Sequence, residues 1–373
     1  MTIVGAGLGL GADLAAIPPD WPGGFWWHLL VFAAIILTFV LSMIMGFIYI
    51  ERRGIGRFQI RQGPNRTGPL GVLQPVADAI KVLLKEDIIP AKGDKLVFWL
   101  APVVAFVSVL LIFAVIPFQG GALLADLNIG ILFIVAVSSV TAVGIFMAGW
   151  GSNNKYSLIG AMRNVAQLIS YEIPLVLSIV GVVLIAGSLS MTQIVEAQTI
   201  PFILLQPLGF LIFFLGALAE INRTPFDLVE ADSEIIAGYH IEYSGMKFAM
   251  FYLAEYCEVL AISAITTTLF LGGWRGPLLP PVLWFLIKVV GVFLVIIWIR
   301  STIPRLRIDQ VMAFAWKYLF PLALVNLLIT GIQVLTWPEA LPWPIIFVNL
   351  ALMVVLIVVW ARFFKLGGGR VEV

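Results

Sequence analysis

Apolar runs long enough to cross about 30 Å of hydrocarbon recur near residues 26–50, 95–118, 128–150, 168–188, 201–221, 249–271, 281–301, 313–332 and 343–363. They lack the length and two-residue alternation of barrel strands, and backbone groups cannot stay unpaired in lipid, so each is expected to be a helix. The expected fold class is therefore all-α, a polytopic transmembrane helical protein with nine spans. Proline punctuates several runs. Pro201 and Pro344 fall near a first turn, where a missing N–H matters little, whereas Pro174 and Pro207 are expected to bend their helices.

The connections are uneven. Of the 22 Lys and Arg, all but Arg275 and Lys288 fall in the segments 51–95, 151–167, 222–248, 300–317 and 361–373. Such one-sidedness places these connections in the cytoplasm, and an odd number of spans then puts the N-terminus outside and the C-terminus inside. Trp21, Trp26 and Trp27 open the first span and Tyr49 closes it, as interface anchors would. In the long segment 51–94, Leu73, Val76, Ile80 and Leu84 recur at helical spacing, with Asp78, Lys81 and Lys85 offset to the other face. That pattern predicts an amphipathic helix at the membrane surface, its lysines reaching for lipid head groups.

Three regions are expected: an extramembrane lead at 1–25, an eight-helix membrane domain at 26–332 with large cytoplasmic loops at 51–94, 151–167, 222–248 and 300–312, and an added ninth span with a short tail at 333–373. The opening residues carry no Lys or Arg, unlike a cleaved signal peptide.

Composition removes alternatives. Hydrophobic residues make up 61% of the chain and charged residues 12%, about half the charge of an ordinary soluble domain. A net charge of +1 implies no nucleic-acid partner. One cysteine, Cys257, cannot frame an iron–sulfur cluster, and two histidines are scarce material for haem or zinc. Gly54, Gly56, Gly63, Gly68 and Gly71 follow no buried strand and form no nucleotide loop. The chain is thus expected to bind no cofactor and no metal of its own.

Carboxylates inside or beside apolar helices carry the information. Glu172 heads one apolar run, Glu220 closes another, and Glu255 and Glu258 lie three apart on one helix face. A carboxylate in hydrocarbon costs a few kcal/mol, so each is expected to face protein, water or a cation, or to hold a proton. The connection after the fifth span adds Asp227, Glu230, Asp232, Glu234 and Glu242. This patch reads as a solvated acidic loop or as a funnel of carboxylates leading into the sixth span.

Basic partners stand at Arg52, Arg53, Arg57, Arg61 and Arg66, at Arg163 and Arg223, and at Arg300, Arg305 and Arg307. Lys288, inside an apolar run, is expected to pair with a carboxylate of another helix. Cys257 reads as a packing residue. His28 and His240 fall on opposite sides of the membrane by this topology, so they should not share a metal.

Four polar segments then carry a resemblance. They are Glu51-Arg52-Arg53 with Arg61-Gln62-Gly63-Pro64-Asn65-Arg66 and Gly71 to Asp78; Gly151-Ser152-Asn153-Asn154-Lys155-Tyr156 with Ser170-Tyr171-Glu172-Ile173-Pro174; Ala219 to Leu228 with Glu242-Tyr243-Ser244-Gly245 and Ala254-Glu255-Tyr256; and Pro304 to Gln310 with Trp316-Lys317. Together they resemble, in order over about residues 28–332, the H subunit family of bacterial NADH:quinone oxidoreductase.

The resemblance implies a subunit of respiratory complex I in the cell inner (plasma) membrane, at the junction of its two arms. It implies a quinone entry tunnel and cavity, with proton coupling through Glu172, Glu220, Asp227, Glu230, Glu234, Glu242 and Glu255. Asp232 stands where many members carry glutamate, and Glu258 joins the set as the neighbour of Glu255. Arg52, Arg61, Arg66 and Arg223 fall on basic positions at the cavity wall or arm interface, and Arg53, Arg305 and Arg307 are grouped with them. Quinone would be the substrate. NADH, FMN and the iron–sulfur clusters would belong to partner subunits, so no residue here is a redox centre. Implied partners are the quinone-site and terminal-cluster subunits of the peripheral arm, the small membrane subunits A, J and K, the more distant antiporter-like subunits, and membrane lipids. Two alternatives stay open: the homologous membrane subunit of a hydrogenase-, ferredoxin- or deazaflavin-linked complex, and a free-standing secondary transporter.

Overall fold

The computed structural model describes residues 24–120, 125–228, 238–337 and 342–363. Among them the secondary structure is helical: α1 (Gly24–Phe58), α2 (Gln74–Leu83), α3 (Lys95–Ile112), α4 (Gly130–Gly151), α5 (Lys155–Ala186), α6 (Met191–Ala197), α7 (Phe202–Leu205), α8 (Pro207–Glu220), α9 (Gly245–Phe270), α10 (Pro281–Thr302), α11 (Ile308–Phe314), α12 (Phe320–Thr336) and α13 (Ile345–Phe363). A π-helical turn, Ala315–Leu319, joins α11 to α12. Among the described residues eight stretches are long and apolar enough to cross a membrane, and α8 is a shorter apolar helix. This is an integral membrane protein.

Two connections are shorter than the charge pattern predicts. α1 has 35 residues, or about 52 Å at the usual rise, and carries Glu51 to Phe58 beyond the apolar run. α5 has 32 residues and starts at Lys155, absorbing most of 151–167. Local chemistry sets these starts. The Asn154 side chain caps α5 by accepting from the Tyr156 N–H at 3.0 Å, and Asp94 caps α3 by accepting from Leu96 and Val97. Gly187, at φ +68°, ends α5 in the left-handed turn that glycine adopts without strain.

The fifth apolar run is broken, not bent. Gln206 leaves helical geometry at φ −129° and ψ 64°, separating α7 from α8 just before Pro207. α5, in contrast, runs through Pro174. Tyr49 lies inside α1, and its hydroxyl donates to the Leu70 carbonyl at 3.0 Å. The amphipathic helix forms as expected at α2, and its Asp78 pairs with Arg52 at 2.5 Å.

α9 is the most deeply enclosed long helix, packed by α1, α3, α6 and α10. The most extensive helix pairing is α3 with α4, and small residues make it possible: Ala101, Ala105, Gly144 and Ala148 let the backbones approach. A methyl group at Gly144 would stand 2.9 Å from the Ala105 nitrogen, and no side-chain rotation relieves a clash with backbone. Gly144→Ala is therefore expected to destabilise by about 1–3 kcal/mol. Gly291→Ala, where nothing lies within 4 Å, should be near neutral. Thermal unfolding of the detergent-extracted protein checks the pair; equal midpoints would contradict the packing argument.

Among the described residues Lys288 does not meet a carboxylate. Its ammonium donates to the Leu271, Gly273 and Arg275 carbonyls at 2.7, 2.9 and 2.7 Å. The end of α9 leaves carbonyls without helical partners, and a lysine reaching up from α10 satisfies that local negative end without a carboxylate.

Candidate functional site

The site begins on α1. Val40, Ile44, Phe47 and Glu51 follow one another along its buried face, so the helix that inserts three apolar side chains also inserts a carboxylate, 4% exposed. Glu51 accepts from Arg300 of α10, and its Oε1 lies 3.4 Å from Arg223 Nη1. Arg223 is itself buried, just past the end of α8, and its Nη2 lies 3.1 Å from Glu255 Oε1 on α9. The same guanidinium sits 4.7 Å from the Tyr256 ring centroid, a cation–π contact. Two arginines thus balance two glutamates across α1, α9, α10 and the loop after α8.

Glu258 lies one helical turn beyond Glu255. Both line a cavity of about 30 Å³ with Thr141, Asn222, Tyr239 and His240. A second cavity of about 30 Å³ is lined by Glu258, Glu220 and Ser138 among apolar side chains. Each has room for a water molecule held by polar walls. Glu258 belongs to both, and it lies within electrostatic reach of Glu220 on one side and Glu255 on the other. Glu220 lies beside Ser138 on the wall of the second cavity and within electrostatic reach of Glu172 of α5, which accepts from Ser139. The carboxylates therefore form a string, Glu172, Glu220, Glu258 and Glu255, ending on Arg223, Glu51 and Arg300.

The loop that carries Arg223 is tied to a neighbouring helix. Gln167 of α5 donates to the Ala219 and Phe226 carbonyls at 2.8 and 2.9 Å, which keeps residues 219–226 folded against α5. Asp227 follows, half-buried. Glu242 stands apart from the string and accepts from Asn154 at 2.7 Å. Glu230, Asp232 and Glu234 lie outside the described residues, as does the side chain of His28.

The basic positions divide. Arg223 enters the acid string. Arg52 reaches α2, Arg53 donates to Tyr49 and to the Leu70 carbonyl, and Arg61 donates to Gln59 at 2.6 Å. Arg66 is exposed, Arg305 half-buried, and Arg307 is 80% exposed beside Asp309. Arg52, Arg61, Arg66 and Arg307 lie on the surface, and Arg53 and Arg305 are partly buried. Sequence reasoning leaves Glu51, Ser138, Ser139 and Thr141 out of the candidate site and names Arg300 only as one of several basic partners. The periodicity of α1 is the available signal for Glu51; the serines and threonine carry none, because hydroxyls in apolar helices mostly bond back to their own backbone. Cys257 is fully buried beside this string.

The NADH dehydrogenase family model matches residues 31–331. A protein of Dehalococcoides mccartyi, designated the H subunit of NADH-quinone oxidoreductase, is 67% identical over 94% of this chain and 99% of its own length. The chain belongs to the family of NADH-quinone oxidoreductase H subunits. Proteins of the same designation from Brevibacillus brevis, 49% identical over 85% of this chain and 95% of theirs, and from Geobacillus kaustophilus, 50% identical over 80% and 92%, are similar as well. The family match spans the whole acid string from Glu51 to Arg300 and stops before α13. As a member of this NADH-quinone oxidoreductase family, the chain places its intramembrane carboxylates on four separate helices, α1, α5, α8 and α9, and makes them neighbours by packing alone.

Proposed function

We propose that this chain is the membrane subunit of a proton-translocating NADH:quinone oxidoreductase that shapes the quinone entry tunnel and relays charge from quinone reduction into the membrane. The observation that carries the reading is the string of carboxylates Glu172, Glu220, Glu258 and Glu255, the last three joined by water-sized cavities that meet at Glu258. A carboxylate in low dielectric responds strongly to a neighbouring charge, so a change at one end alters the proton affinity of the next.

In this reading electrons arrive from an iron–sulfur cluster in a peripheral-arm subunit, with NADH and FMN bound further away. Quinone reduction places negative charge at the head of a chamber that this chain builds with its partners. Arg223 and Arg300 pair with Glu51 and Glu255 at that end, while Glu258, Glu220 and Glu172 pass protons through hydroxyls and water. The arginines Arg52, Arg53, Arg61, Arg66, Arg305 and Arg307 face the cytoplasm and grip the peripheral arm, and the acidic run Asp227, Glu230, Asp232, Glu234 with Glu242 lies at the mouth of the path. The chain sits in the cell inner membrane with its N-terminus outside, next to the small membrane subunits A, J and K and ahead of the antiporter-like subunits. Residues 26–332 make up the working domain and 333–373 an addition to it.

Glu220→Gln keeps size and hydrogen bonding but removes the exchangeable charge. The expected result is a normally assembled complex whose NADH:quinone turnover and proton translocation fall several-fold together. Wild-type turnover and translocation in an assembled complex would defeat the proposal.

A further inference from the structure

Away from the acid string, the break between α7 and α8 opens a second polar pocket. With helical bonding interrupted at Gln206, the Leu205 carbonyl accepts instead from Asn349 Nδ2 of α13 at 2.6 Å. Asn349 also exchanges hydrogen bonds with Gln333 of α12 at 2.6 and 3.2 Å. Gln206 Nε2 donates to Thr330 Oγ1 at 2.7 Å and to the Gly181 carbonyl at 3.2 Å. These side chains line a cavity of about 20 Å³.

Two polar atoms there have no protein partner among the described residues. Gln206 Oε1 and Asn326 Nδ2 are buried and make no hydrogen bond, on residues 3% and 6% exposed. They converge: a methyl group at Gly209 would stand 3.1 Å from Asn326 Nδ2 and 3.2 Å from Gln206 Oε1. One is a donor and the other an acceptor, and leaving both unmade in an apolar membrane interior is costly. A bare cation suits the acceptor and is repelled by the amide N–H. A water molecule suits both, accepting from Asn326 and donating to Gln206, and about 20 Å³ is sufficient for one.

We propose that this pocket is a built site for a single water molecule, closed from lipid by Asn349 of α13 through its bonds to Leu205 and Gln333. Gln206, Asn326 and Thr330 lie within the family match, whereas Gln333 and Asn349 lie beyond its end at residue 331. The last long helix, α13, therefore completes a break that the other helices leave open, and Trp360, donating to the Lys317 carbonyl at 3.0 Å, holds its far end. Pro321 has no N–H to offer that carbonyl.

The test is cryo-electron microscopy of the intact complex at a resolution that displays ordered water, in sodium and in choline buffers. The expected result is one density peak within hydrogen-bond distance of Gln206 Oε1 and Asn326 Nδ2 in both buffers. An empty pocket, or a peak present only with sodium, overturns the proposal. Gly209→Ala places a methyl group at the convergence point and should remove the peak while α13 stays seated; a peak that persists there also overturns it. For the closing role, Asn349→Leu is expected to speed amide exchange at the start of α13 about tenfold, the loss of roughly one good hydrogen bond. Unchanged exchange would remove Asn349 as the closure.

Discussion

Arg223→Leu is expected to cause the largest loss of stability of any single substitution in the site. The guanidinium is buried among Glu51, Glu255 and Tyr256, and deleting one member of a buried charge cluster leaves its partners charged in low dielectric, at about 3–5 kcal/mol. Glu51 keeps Arg300, whereas Glu255 loses its contact with Arg223. The complex should be recovered in reduced amount on native gels, with a lowered thermal midpoint. Adding Glu255→Gln to Arg223→Leu should restore part of that midpoint, because the second change removes the charge that Arg223 faced. A single variant as stable as the wild type, or a double variant no better than the single, would show that the cluster is not held by charge balance.

Glu258→Gln is expected to have the largest effect on turnover with the fold intact. The substitution is isosteric, and Glu258 is the residue shared by the two cavities of the string. Losing a proton-exchanging group there interrupts both segments, so NADH:quinone turnover and proton translocation should fall about tenfold or more, at least 1.4 kcal/mol in the barrier. Reduction of an artificial acceptor that takes electrons before quinone should be unchanged. Full quinone turnover with a wild-type proton yield would exclude Glu258 from the path.

Glu255 and Glu258 are legible as a pair because a spacing of three puts them on one helix face, and the structure places both in one cavity. Glu51 is equally legible in principle, continuing the buried series Val40, Ile44 and Phe47. By composition it reads instead as the start of a basic loop, because the apolar run ends just before it. Lys288 misleads for the opposite reason: an intramembrane cation calls for negative partners, but the end of α9 supplies carbonyls that serve equally well.

The amino-acid sequence by itself determined that the chain is helical and lies in a membrane, where most spans begin and end, and which helices carry charge. These are consequences of local composition and period, felt within a few turns of chain. The tertiary structure alone decided which charges meet. Glu51 and Arg300 are 249 positions apart, and Glu51 and Arg223 are 172. Their pairing depends on how α1, α9 and α10 are rotated and packed, and so does the polar closure of the α7–α8 break by α13. Partner choice among buried polar groups is a property of helix packing, which no single helix encodes.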